Sequence, residues 1–231
     1  MKQAVVMEDG NQLIKLYSHP MSSCSRRVRL ALHLKGLKYE CINITSVGDP
    51  ELLKVNPMGY VPALVDGTTI VSDSYAILLY LEEKYPQHAL LPQDLVRKSI
   101  NYQAASIVSS SIQPLQNMVL VNYIGEIVSP DEKLPWAQYH IGKGFVALEI
   151  LLANYAGKYA TGDEIYLADL YLAPQLDNAI NRFKLDMTAF PLLLKLNKTY
   201  NETPSFQQIL AETQQQHTDK SAFDFIKLQE A

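Results

Sequence analysis

Ser22-Ser23-Cys24-Ser25-Arg26-Arg27 places hydroxyls, a thiol and two guanidinium groups in consecutive positions. A short apolar run, Leu13-Ile14-Lys15-Leu16-Tyr17, precedes them. An apolar-periodic stretch from Val28 to Leu34 follows and stops at Gly36. That order reads as strand, loop and helix, with the polar cluster at the helix N-terminus. Unpaired N–H groups point outward there, and the helix dipole favours a negative charge. A thiolate is such a charge, so the stretch suits a thiol-bearing ligand. The plainer reading is that the serines only cap the helix.

Energetics say what the richer reading requires. A free thiol has a pKa of about 8.5, and lowering it by two units takes roughly 2.7 kcal/mol. A helix end supplies about 0.3–1 kcal/mol. A hydroxyl donating to the thiolate adds roughly 1.5–3 kcal/mol, and the two together suffice. Ser22 or Ser23 is placed to be that donor. Cys24 is either a small helix-start residue or a second reactive thiol; without a CxxC partner it does not form a dithiol centre.

Two further features have both an ordinary and a functional reading. Val61-Pro62 is an edge-strand proline, or a cis bond that exposes the Val61 backbone to a peptide-like ligand; cis occurs in only about 5–6% of X–Pro bonds. Asp73-Ser74 caps the helix that follows, or also holds a ligand's α-amino and α-carboxylate groups there. Asp169, in Thr161-Gly162-Asp163-Glu164-Ile165-Tyr166-Leu167-Ala168-Asp169, reads as a structural third-position cap residue.

The elements that must position these residues follow from periodicity. Residues 13–18 predict a strand, 22–36 a helix, and 39–44 an alternating strand. A strand, crossover helix and strand imply a parallel pair. Residues 51–55 predict a short helix ended by Asn56-Pro57. Residues 59–65, where Pro62 begins a strand or sits at an edge, and 68–71 form a hairpin about Asp66-Gly67, and 75–85 a helix stopped at Pro86. This is βαβαββα, the size of a small domain. Residues 86–96 read as a linker that packs down. Beyond Leu95 no strand is predicted. Helical periodicity runs over 98–127 with a break at Pro114, over 134–155, and over 167–182, which is apolar nearly all round and reads as a buried central helix. Shorter helices are predicted over 189–201 and 204–216, and the last dozen residues read as polar surface.

The 231 residues carry a formal charge of −4 with both signs interspersed, which excludes the basic footprint of a nucleic-acid binder. The two cysteines, Cys24 and Cys41, argue against a disulfide framework and for a reducing compartment. The five histidines are scattered and no metal-ligand spacing occurs. Residues 1–12 lack the apolar core of a secretory signal. No apolar run approaches the ~20 residues of a membrane span. The expectation is a soluble cytoplasmic protein.

Taken in order, these signals resemble a glutathione transferase. Ser22-Ser23-Cys24-Ser25 with Arg27-Val28-Arg29, Asn56-Pro57-Met58-Gly59, residues 61–67, Ile112-Gln113-Pro114-Leu115-Gln116-Asn117, Gly162-Asp163-Glu164 and Ala168-Asp169-Leu170 look like the zeta class, in a plant-like form. That class includes maleylacetoacetate isomerase. The resemblance implies an α/β thioredoxin-like domain over 12–90 that binds glutathione. It implies an all-helical domain over 97–220 that shapes the second-substrate site, and a homodimer. By position, Ser22, Ser23 and Cys24 are the implied reacting centre. Ser22, Val61, Pro62, Asp73, Ser74, Gln113 and Asn117 are the implied glutathione contacts, and Arg27 and Arg182 would meet a substrate carboxylate. The implied reaction is glutathione-dependent cis–trans isomerisation of a small anionic diketo acid, with conjugation and α-halo acid dehalogenation as side activities. General conjugation with little isomerisation is one alternative, and a non-catalytic glutathione-fold binding protein is another. Met21 stands where the class commonly has an arginine, the 45–50 loop is short, and Tyr166 stands where a capping Ser or Thr is usual.

Overall fold

Strand β1 (Ile14–Ser18) turns Ile14, Leu16 and Ser18 into the core, and its two neighbours follow from that alternation. The computed structural model describes residues 13–46 and 48–218, with side chains to 213; the N-terminal stretch read for a leader and the polar C-terminal dozen lie outside the described residues. Helix α1 (Ser23–Leu34) crosses to β2 (Tyr39–Asn43), which pairs parallel to β1 with Leu16 opposite Cys41. Helix α2 (Pro50–Val55) is followed by β3 (Ala63–Asp66) and β4 (Thr69–Ser72). Leu64 of β3 pairs antiparallel with Leu16, and β4 returns antiparallel to β3, so the strand order is β2-β1-β3-β4. Helix α3 (Ser74–Lys84) completes a βαβαββα, thioredoxin-like unit.

Lys35 ties down the linker. Its buried ammonium meets Glu82 at 2.9 Å and the Tyr85 carbonyl at 2.7 Å. Glu82 in turn accepts from the Leu90 N–H. Leu90 and Leu91 are buried as the sequence suggests, and the Leu90 carbonyl accepts from the Leu167 N–H at 2.7 Å. The start of the central helix is thereby registered against the linker.

The remainder is helical: α4 (Leu95–Ser106), α5 (Met118–Ile127), α6 (Lys133–Leu152), α7 (Leu167–Asp177), α8 (Pro191–Glu202) and α9 (Pro204–Thr218). Two expected breaks differ in place. The interruption expected at Pro114 begins earlier, with a π-helical turn over 107–112 and a 3-10 turn over 113–116. Pro114 has no N–H to offer, and the wider spacing lets the Gln113 N–H reach the Val108 carbonyl five residues back. The central helix expected over 167–182 is α-helical only to Asp177; residues 178–182 form a second π turn, with the Phe183 N–H on the Asn178 carbonyl.

Helix α7 is buried on nearly every side, against α1 and α4 among others. Asp169 is its cap residue, as its spacing suggests. Position 166 carries no short Ser or Thr hydroxyl, and the Asp169 carboxylate gathers the donors around it: it accepts from the Tyr166 N–H at 2.9 Å, the Ala160 N–H at 2.8 Å and the Tyr200 hydroxyl at 2.6 Å. Burial pushes the carboxyl up to about 6 against these hydrogen bonds. Asp169→Ala leaves three buried donors unpaired, and a loss of about 3–5 kcal/mol is expected in chemical denaturation. Its pH dependence has a defined sign. Between about pH 4 and 6 the folded chain holds a proton that the unfolded chain has released. The Asp169 contribution is therefore full below about pH 4 and falls as the pH rises through 6, so the stability gap between wild type and Asp169→Ala narrows across that window.

Candidate active site

Two helix N-termini open into one cleft of about 670 Å³ between the sheet unit and the helices. The β1–α1 loop forms one end. Its shape is set by the His19 carbonyl accepting from the Ser22 N–H at 3.0 Å, His19 Nδ1 accepting from the Met21 N–H at 3.2 Å, and Ser25 Oγ accepting from the His19 N–H at 3.3 Å. Ser22 caps α1: its Oγ accepts from the Ser25 N–H at 3.2 Å. Capping uses a lone pair and leaves the hydroxyl proton available to a ligand. The two readings of Ser22 are therefore compatible. Ser23 is buried beside it and Cys24 is half-buried at the cleft wall.

Asp73 caps α3 with a backbone φ of +74°, the left-handed region that L residues rarely adopt. Its Oδ1 accepts from the Tyr75 N–H at 2.7 Å and the Ala76 N–H at 3.4 Å. Between these ends, Val61 and Pro62 line the cleft and the bond joining them is cis. Asn56 holds the approach to that bond: its Nδ2 donates to the Tyr60 carbonyl at 2.6 Å and its Oδ1 accepts from the Met58 N–H at 3.1 Å.

The opposite wall comes from the helices. Gln113 follows the first π turn, Asn117 caps α5 through the Val119 N–H at 2.9 Å, and Arg182 closes the second π turn. All three line the cleft together with Ser22, Ser23, Cys24, Val61, Pro62, Asp73 and Ser74. Sequence reasoning missed His19, Asn178 and Phe183, which are single residues without a motif around them, and the apolar surface of Met118, Leu120 and Tyr123.

Arg27 is the exception. The expectation that it meets a substrate carboxylate puts it in the cleft, but it lies behind the wall, 1% exposed and absent from the lining. The reason is depth along the helix: Arg27 shares the face of Cys24 but lies one turn further from the helix N-terminus, where α3 and α7 cover it.

Arg182 is the only arginine or lysine lining the cleft among the described residues. Asp177, the nearest acid on its turn, is occupied by Arg26 and Asn181. Among the described residues Arg182 makes no ion pair, and it is exposed. Surrounding protein first, and then Arg26, hold its pKa below the ordinary guanidinium range.

The residues present fit an anionic, thiol-bearing peptide. Two helix ends and the Ser22 hydroxyl lie at the cleft, and behind them the buried Arg27 retains Nε and Nη2 without hydrogen-bond partners among the described residues. A thioredoxin-like unit with that cleft against a helical unit is the architecture of a glutathione transferase. The comparisons agree. Residues 16–89 match the family described as Glutathione S-transferase, N-terminal domain. The chain is 58% identical to a zeta-class glutathione S-transferase of Euphorbia esula, over 95% of this chain and 99% of that one. It is 45% identical to the maleylacetoacetate isomerase of Rattus norvegicus, over 83% and 89% of the two chains. Its fold matches the crystal structure of a maleylacetoacetate isomerase from Anaeromyxobacter dehalogenans with glutathione bound in the active site, at TM-score 0.77 and 37% identity, covering 85% of this chain and 94% of that one. The chain belongs to the zeta-class glutathione S-transferase family.

Gln113 owes its place to a glycine on α6. A Cβ at Gly144 would lie 2.3 Å from Ile112 Cγ1, inside a wholly buried contact. Gly144→Ala is expected to cost about 1–3 kcal/mol in urea unfolding. It should also weaken glutathione binding, because the displaced π turn leads directly into Gln113.

Proposed function

We propose that this chain catalyses the glutathione-dependent isomerisation of maleylacetoacetate to fumarylacetoacetate, with residues 12–90 holding glutathione and residues 97–220 the diketo acid. Bound glutathione supplies a thiolate that adds reversibly to the cis double bond and departs after rotation, so it is not consumed. The observation that carries the reading is Ser22, a helix cap with an uncommitted proton at a cleft-facing N-terminus.

The chain's own residues divide the work. Ser22 and the α1 amides stabilise the thiolate. Ser23 and Cys24 shape the space around the sulfur. The Val61 backbone before Pro62 supports pairing with the tripeptide, and Asp73 and Ser74 suit its γ-glutamyl end. Gln113 and Asn117 approach from the helical side. Arg182 is a fork-shaped donor for the electrophile's carboxylate, and its lack of an internal ion pair leaves it available.

One observation favours a second activity. Around Arg182 the electrophile side is largely apolar, with Met21, Met118, Leu120 and Phe183. Such a wall suits conjugation of apolar electrophiles and displacement at small α-halo acids, beside isomerisation. We place the protein in the cytoplasm, where free Cys24 and Cys41 are stable; no helix among the described residues is long and apolar enough to cross a membrane. We also propose a homodimer, consistent with the large apolar side chains of Met58, Ile70 and Leu95 left exposed, and sedimentation velocity tests it.

Ser22→Ala, folded and stable, is expected to lower glutathione-dependent turnover of maleylacetoacetate by about 10²-fold; wild-type kcat in that variant contradicts the assignment. Met21→Arg adds a second cation near the cleft. Steady-state kinetics are expected to show KM for the dicarboxylate falling about tenfold, with little change for a neutral electrophile.

A further inference from the structure

Helix α1 buries three arginines, and two of them have acidic partners. Arg26 pairs with Asp177 and Arg29 with Glu212. Arg27, 1% exposed, has no carboxylate partner among the described residues. Its Nη1 donates to Ser74 Oγ at 3.3 Å and lies 3.6 Å from Cys24 Sγ. Its guanidinium carbon stands 4.3 Å from the centre of the Tyr171 ring, a cation–π contact from α7. Nε and Nη2 have no partner.

Hydrogen-bond polarity gives this arrangement a direction. A guanidinium only donates, so Ser74 Oγ must accept from it, which leaves the one Ser74 proton two acceptors: the buried Tyr171 hydroxyl beside it and a ligand in the cleft. Ser74 lines the cleft at the N-terminus of α3. With a lone pair taken by Arg27, Ser74 has its proton to donate, and an anionic ligand in the cleft is a stronger acceptor than the neutral Tyr171 hydroxyl. The charge itself is equally directional: a buried cation lacking an anion is costly, and its field is not screened by water. The open space nearest Cys24 and Ser74 is the cleft.

We propose that Arg27 is a positioning residue for glutathione: from behind the wall it turns the Ser74 hydroxyl toward the ligand's α-carboxylate, and it supplies the buried positive charge that the bound anion completes. This replaces the expectation that Arg27 touches the second substrate. It rests on the reading that the cleft holds glutathione.

Calorimetry with glutathione and with S-methylglutathione, which has no ionisable thiol, tests it. Arg27→Met is expected to weaken both ligands about ten- to a hundredfold. Ser74→Ala should weaken S-methylglutathione comparably, and the double variant should be no weaker than Arg27→Met alone, because both act through one contact. In Arg27→Met the ultraviolet absorbance of the bound thiolate should appear about one pH unit higher than in wild type. Arg27→Lys keeps the charge and loses the fork; it should restore the thiolate titration and only part of the affinity. Unchanged affinity and titration in folded Arg27→Met overturn the proposal, and so do Arg27 and Ser74 effects that multiply. Should Arg27→Met fail to fold, the same cycle with Arg27→Lys decides, on the same criterion of multiplying or shared effects. Wild type that binds neither ligand would overturn the glutathione reading itself, a result distinct from wild-type binding with an unaltered variant.

Discussion

The clasp of Arg26 on the Asp177–Asn178 corner of α7 sets how the sheet unit meets the helices. Its guanidinium pairs with Asp177, donates to Asn178 Oδ1 at 2.6 Å and reaches the Pro174 carbonyl at 3.4 Å. A buried pair of this kind adds little net stability, but losing one partner costs about 3–5 kcal/mol because the other is stranded. It acts as a register device. It also occupies Asp177, which leaves Arg182, five residues on, without an acidic partner among the described residues. One interaction therefore fixes the cleft's shape and frees the cation that lines it.

The same economy appears at the cleft's polar end. No single group there stabilises a thiolate sufficiently, because a helix end is worth about 0.3–1 kcal/mol. The fold gathers several groups at one point, the α1 N-terminus, the Ser22 hydroxyl and the charge of Arg27 behind Cys24, and the proposed function draws on all three. At the other end of the cleft the α3 N-terminus and the Ser74 hydroxyl are brought together in the same way. Both ends depend on α1 and α3 lying side by side, with α7 covering the arginines that this packing would otherwise expose. Tyr171 of α7 is part of that cover; burial raises its hydroxyl pKa well above the ordinary phenol range, although the charge of Arg27 opposes the shift.

Much of this was legible in the chain. Strand and helix periodicities placed β1 to α3 within a residue or two, since alternation and turn residues are local signals. Ser22, Asp73 and Asp169 were readable as caps, because a cap is defined by its immediate neighbours. The π turns were not. A break was expected at Pro114, but the register shift starts at Ile107 and the turn ends with Ile112 seated against Gly144 on another helix. The chain past Asp177 was read as one continuous helix for the same reason: nothing local marks where a buried helix changes its hydrogen-bond spacing.

The sequence by itself determined the order of elements, the capping chemistry and the presence of hydroxyl, thiol and guanidinium groups at one helix start. Those properties depend on residues within a few positions of each other. Only the tertiary structure decided which of those groups reach the cleft. Arg27 and Arg182 have the same side chain, yet one is sealed behind α3 and α7 while the other opens onto the ligand space. The difference is not in the residues but in what packs across them, and that is settled by contacts between segments more than a hundred positions apart, such as Arg26 with Asp177 and Arg27 with Tyr171.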